Sequence, residues 1–247
     1  HVFVEKPMAT HPEEVRQIHK AAKSRNLVAM VGHTFIFNAA VKQVKEIIDS
    51  GELGDIRYIY AQRLNLGRIR NDVDALWNLA PHDISIIQYW LDDPEPVKTQ
   101  RIGMAYVQDG IDDVVFLNII YPQNVMAHIH VSWLDPHKIR QITVVGTKKM
   151  VVYDDIAESK IAIYDKGIDP LAVLGDRMDF DTGGVPEFTH RSGDVVRPKV
   201  PWREPLEVEI EHFSQCILRG IDCKTGTKHA EKVVGILRRA DTIQSGR

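Results

Sequence analysis

The chain has 247 residues, 44% of them hydrophobic and 26% charged, the balance of a folded globular protein rather than a disordered one. Thirty-one Lys and Arg against 34 Asp and Glu leave a formal charge of -3 with no basic cluster, which argues against a nucleic-acid partner. The apolar runs stop far short of the ~20 residues that span a bilayer, and no secretory leader is visible. Two cysteines, Cys216 and Cys223, show no CxxC or Cys/His spacing suited to zinc, so a reduced, cytoplasmic compartment and no metal are expected.

In chain order, Val2 to Val4 is a short β-branched and aromatic run that reads as a parallel strand buried on both faces. It follows His1 with nothing earlier to pack against, so the natural protein is expected to continue upstream. Thr10-His11-Pro12-Glu13 predicts a helix start with Thr10 as N-cap, and Asn26 closes that helix. Leu27 to Val31 is a second buried strand, which gives a right-handed βαβ unit. Asn38 to Ser50 carries Val41, Val44, Ile47 and Ile48 at helical spacing, with Gly51 as its stop.

The pattern then changes to consecutive strands with tight turns: residues 56–65, 99–107, 114–121, 125–134, 138–145, 150–153 and 160–164. That order predicts a large, mostly antiparallel sheet. One helix, Asp83 to Trp90, interrupts it. Residues 167–205 are rich in Gly, Pro and Asp with little periodicity and read as a long functional or mobile loop, with Gly183-Gly184 and Gly193 at turns. Helices at 206–218 and 229–244 close the chain, the second with an apolar stripe through Val233, Ile236, Leu237, Ala240 and Ile243. The fold class is therefore α/β (α+β): the end of a doubly wound domain followed by a large open, mostly antiparallel sheet with flanking helices.

Two places can carry chemistry. Ligands of an open parallel sheet bind beyond the carboxyl ends of its strands, where Glu5-Lys6-Pro7 sits. A lysine there can hydrogen-bond a substrate hydroxyl and favour its alkoxide, although a lone triplet reads equally well as solvated loop. The second is Asp72-Val73-Asp74-Ala75-Leu76-Trp77-Asn78-Leu79-Ala80-Pro81-His82-Asp83. An alcohol that loses hydride must also lose its hydroxyl proton, and a histidine at a helix start, with a polar residue four positions before it, can accept that proton. Taken singly, His82 also reads as a satisfied histidine near a helix end, and Asp83 as that helix's N-cap. Met126, His128, His130 and Ser132 alternate as one face of a strand. No phosphate-cradling glycine loop is present.

The opening Val-Phe-Val-Glu-Lys-Pro, Val31-Gly32-His33-Thr34-Phe35, the Trp77 to Asp83 run, Ser132-Trp133-Leu134-Asp135-Pro136 and the hairpin around Gly146 together resemble the Gfo/Idh/MocA oxidoreductases, in the family's order. The resemblance implies a Rossmann domain that binds NAD or NADP, here residues 1–36 from about its fifth strand, and a substrate and dimerisation domain, residues 37–247. Roughly a hundred preceding residues would carry the glycine loop and the ribose reader.

It also implies roles. Lys6 matches the lysine that contacts substrate and cofactor, and His82 the catalytic histidine. Asn78 stands where the family commonly has Asp, able to orient substrate or His82 but without a charge to steady an imidazolium. Glu5, His33 and Asn38 would border the nicotinamide and its ribose, with Trp77 beside them, and Arg70 would touch substrate. Asn65-Leu66-Gly67, Arg70, Asp72-Val73 and Trp77 look like a branch associated with nucleotide sugars and surface polysaccharides, with a sugar C3 hydroxyl as target and a homo-oligomer through the open sheet. Two other readings stand beside this one: a non-catalytic binding or dimerisation module, and an enzyme that uses the dinucleotide transiently as a lyase or hydrolase. Residues 1–247 alone are expected to bind dinucleotide weakly.

Overall fold

A computed structural model describes residues 1–170 and 188–244. The chain opens with a parallel pair, β1 (Val2–Glu5) and β2 (Ala29–Gly32), joined by helix α1 (Pro12–Lys23). The expectation of a β1 buried on both faces is corrected: Val2 is exposed and Phe3 and Val4 are half-buried, because β1 pairs with β2 alone among the described residues. Helix α1 starts after His11 rather than Thr10. Glu14, not Glu13, closes its first turn, with Oε2 accepting from the N–H groups of Thr10 and His11 at 3.1 and 3.0 Å, while Glu13 pairs with Arg16.

Helix α2 (Ala39–Asp49) and strand β3 (Ile56–Leu66) lead into the main sheet. The sheet also contains β4 (Lys98–Met104), β5 (Val114–Ile120), β6 (Met126–Ser132), β7 (Leu134–Gly146), β8 (Met150–Asp154), β9 (Ile161–Pro170) and β10 (Phe188–Val196). Its order is β10-β9-β8-β7-β3-β6-β5-β4, antiparallel throughout except for β3 beside β6. Period-2 alternation sorts the two faces. Ile59, Ala61, Leu117, Ile129 and Val144 point to the buried side, under α2, α3 (Ala75–Trp90) and α5 (Thr227–Gln244). Tyr58, Phe116 and Met126 occupy the other side and remain 38–39% exposed.

Two further expectations are corrected. Helix α3 begins at Ala75, eight residues before Asp83, and carries Pro81 within it. Asp74 is its N-cap, with Oδ1 accepting from Trp77 N–H at 2.9 Å. Proline lacks an N–H and disfavours a helix interior by about 3 kcal/mol, which is why the sequence reading broke the helix there. Burial of Leu76, Ala80, Ile84 and Ile87 on the sheet outweighs that cost. Asp83 is thus an interior residue and not a cap.

The supposed loop at 167–205 contains the end of β9 and all of β10. Its residues are exposed on both faces, so no hydrophobic alternation marked them. The ladder is reinforced by Arg191, which pairs with Asp165 and Asp169 at 3.0 and 2.7 Å. Gly193 lies at the register shift between Ser192 and Val195, where a Cβ would come within 2.5 Å of the Asp165 carboxylate. Gly183-Gly184 lies outside the described residues. The chain returns to its beginning through α4 (Pro205–Arg219) and α5: Val15 and Val31 pack with Ala230 and Val234, and Val31 N–H donates to Thr225 O at 2.9 Å.

Candidate active site

Lys6 leaves the carboxyl end of β1, and its Nζ donates to the backbone carbonyl of Asn78 on α3 at 2.5 Å. Burial, then the positive charge of Arg63, holds the Lys6 ammonium below its usual range, with Glu5 acting in the opposite direction.

One helical turn after Asn78, His82 stands on the same face of α3. Its ring meets Phe35 edge-on at 5.0 Å, and its Nδ1 is enclosed without a partner. Burial first, then the charges of Arg63, Lys6, His33 and Arg140, keep its pKa well below the ordinary histidine value. The imidazole is therefore neutral at pH 7 and has a lone pair to offer.

Behind His82, Arg63 and Asp83 form a buried two-bond ion pair at 2.8 and 2.9 Å, and the guanidinium lies over Phe35 at 4.6 Å. Asn78 is held from the sheet by Trp133, whose indole N–H donates to Oδ1 at 3.3 Å. Trp77 is fixed by Asp241 at 2.8 Å. Buried Arg101 joins Asp74 to Asp112 and Asp241, tying the start of α3 to β4 and α5.

These elements enclose an open cleft of about 700 Å³ that gathers Lys6, Arg70, Trp77 and Asn78, with Arg238 and Asp241 on the far rim. A second hollow of about 580 Å³ shares Arg70 and Asn78 and adds Asn65, Arg68 and Trp133. Arg70 is braced by a two-bond pair with Asp72 at 2.8 and 2.5 Å. His33 is buried beside His229, ring centroids 5.4 Å apart, with Nδ1 unpartnered and its pKa driven well down by burial. Glu5 is exposed at the tip of β1. Glu5, His33, Asn38 and His82 line neither hollow; Asn38 is buried, and its Oδ1 caps α2 by accepting from Ala40 N–H at 2.8 Å.

Sequence reasoning missed Arg63, Asp83 as its partner, Arg101, Trp133 and Arg238. A signal existed for Arg63. It shares the register of Ile59 and Ala61, and a charge on an apolar strand face requires a buried counter-charge.

A parallel βαβ unit whose first strand ends at an open cleft beside α3 has its cleft where open α/β sheets bind ligands, beyond a strand's carboxyl end. The comparisons with known proteins specify the family. Residues 1–33 match the profile described as "Oxidoreductase family, NAD-binding Rossmann fold", and residues 41–152 match "GFO/IDH/MocA C-terminal domain". The chain belongs to the Gfo/Idh/MocA oxidoreductase family. It is 25% identical over 229 residues to trans-1,2-dihydrobenzene-1,2-diol dehydrogenase of Bos taurus, covering 89% of this chain and 62% of that enzyme. The fold is shared with UDP-N-acetylglucosamine 3-dehydrogenase of Acidithiobacillus ferrooxidans, at TM-score 0.75 and 21% identity over 98% of this chain and 70% of that one. It is shared too with an inositol dehydrogenase homologue of Azotobacter vinelandii complexed with NADH and myo-inositol, at TM-score 0.76 and 16% identity over 100% and 70%.

Proposed function

We propose that the whole protein is an NAD- or NADP-dependent dehydrogenase that moves a hydride between nicotinamide and a hydroxyl-bearing carbon of a sugar or nucleotide sugar. One observation carries this reading: Lys6 is anchored on the Asn78 carbonyl beyond the carboxyl end of β1, and neutral His82 stands one helical turn on from Asn78, near enough for the Lys6 charge to lower its pKa. The residues present suit the nicotinamide end of a dinucleotide, since His33 and His82 each keep a buried nitrogen without a partner there. The cofactor, when bound, supplies the hydride acceptor.

The chain's own residues handle the proton and the charge. His82 takes the hydroxyl proton at Nε2, the ring nitrogen left open when Nδ1 carries the hydrogen. The Lys6 ammonium, poorly solvated, stabilises the oxygen as it becomes negative. Asn78 orients the hydroxyl or His82 with the part of its amide that Trp133 leaves free. Among the described residues no carboxylate backs His82, Asp83 being committed to Arg63, so the imidazolium passes its proton on to solvent.

Residues 1–36 serve the cofactor and 37–247 the substrate in this reading, with Glu5 and His33 beside the nicotinamide. The finer reading is a UDP-sugar oxidised at C3, since Arg68 and Arg70 would face a diphosphate across the second hollow. The outer sheet face would pair two copies. A cytoplasmic location fits, and no described helix is long and apolar enough to cross a membrane.

The test is a screen of UDP-sugars, free aldoses and inositols with NAD and NADP, followed through reduced nicotinamide and product mass. Formation of a keto-sugar two mass units lighter supports the proposal. Elimination or hydrolysis products without net nicotinamide reduction would replace it with a lyase or hydrolase.

A further inference from the structure

Far from the cleft in sequence and lining no part of it, three metal-binding side chains meet where α4 ends and the chain turns back towards β2. His212 and Cys216 lie four residues apart on α4 and share one face. Gly220, at φ 65°, ends the helix in the left-handed conformation, and the chain reverses so that Cys223 comes back against that face. The donor atoms of the three residues all lie within 4.8 Å of one another.

The separation of Cys216 Sγ from His212 Nε2 is 3.5 Å. In a tetrahedral site with Zn–S near 2.3 Å and Zn–N near 2.0 Å, neighbouring nitrogen and sulfur donors stand about 3.5 Å apart. That edge therefore already has its metal-bound length. The imidazole is held in place against Phe37, ring centroids 5.3 Å apart, and Cys216 is buried while Cys223 is half-buried. The side open to the surface leaves room for a fourth, solvent ligand.

We propose that His212, Cys216 and Cys223 form a binding site for one zinc ion, with water completing the tetrahedron. The ion takes the Nε2 lone pair that now accepts from Lys224 N–H at 3.0 Å, and that amide, on an exposed residue, turns to water. The role is structural. Two residues after Cys223, Thr225 O accepts from Val31 N–H, and Gly226 bridges Met30, so a metal there clamps α4 to the segment that edges β2. The sequence search missed the site because Cys223 is brought in by a turn rather than by a compact motif.

The experiment titrates metal-free, reduced protein with zinc chloride against a chromophoric chelator and, separately, with cobalt. One equivalent of zinc with a dissociation constant below about 1 µM is expected, weakened at least tenfold in Cys216→Ser/Cys223→Ser. Cobalt in the unmodified protein should give the intense visible bands of a tetrahedral site and a thiolate charge-transfer band, a readout independent of how the variant folds. Zinc binding no tighter than in the double variant, a pale octahedral cobalt spectrum, or a Cys216–Cys223 disulfide in place of bound zinc would each overturn the assignment.

Discussion

Lys6 and His82 have their pKa values lowered by the same two forces, burial and the neighbouring Arg63 charge, and in a proton-transfer site both shifts have visible consequences. kcat/KM should fall on the acid side as His82 gains its proton, with an apparent pKa below 6.5. On the alkaline side it should fall as Lys6 loses its proton, below 10.5. An acid limb above 6.5 in the pH–rate profile would contradict the role given to His82. The Arg63–Asp83 pair belongs to the same scale. Asp83→Ala leaves a buried guanidinium uncompensated and should cost about 3–5 kcal/mol in denaturant unfolding, whereas Arg63→Met with Asp83→Leu should restore most of it. At this scale Lys6, Asn78 and His82 were singled out from short motifs and the family resemblance, and the structure adds the Lys6–Asn78 hydrogen bond that no motif shows. Arg101 could not be singled out so, since Asp74, Asp112 and Asp241 come together only through the fold.

Helix α3 is the element that assembles the site, carrying Trp77, Asn78 and His82 past Lys6. Its start is held twice by one residue: Asp74 caps Trp77 N–H and pairs with Arg101. Asp74→Ala should therefore cost more than the ~1 kcal/mol of an ordinary cap, while Asp74→Asn keeps the cap and loses only the charge. A thermal melt of Asp74→Asn equal to that of the unmodified protein would show the ion pair contributes nothing. Strands with a buried face were readable from alternation, as β3, β5 and β6 show. Two elements were not: α3, because Pro81 suppressed eight helical residues, and β10, because a strand exposed on both faces leaves no periodic trace. The same limit applies to the cap of α1, where His11 and Glu14 do the work assigned to Thr10 and Glu13.

Across the whole molecule, α4 and α5 return to the opening βαβ unit, so the first and last segments of the chain are packed together. The remaining broad apolar surface is the outer sheet face, where Phe116 stacks on His130 at 4.2 Å beside Tyr58 and Met126. If two copies pair there, Phe116→Lys should shift sedimentation from dimer to monomer with the circular dichroism unchanged; a monomeric parent protein would remove that proposal. The overall order, a parallel unit followed by an antiparallel sheet, was readable from the sequence because it depends on period and turn chemistry. The cleft was not, because it is built between elements distant in the chain. The central claim is that Lys6 stabilises the oxygen that loses its proton. The direct measurement is kcat for nicotinamide reduction by the whole protein and its Lys6→Ala variant on the best substrate of the screen. A fall of about 10²-fold or more with the fold intact is expected, and near-normal turnover would contradict the account.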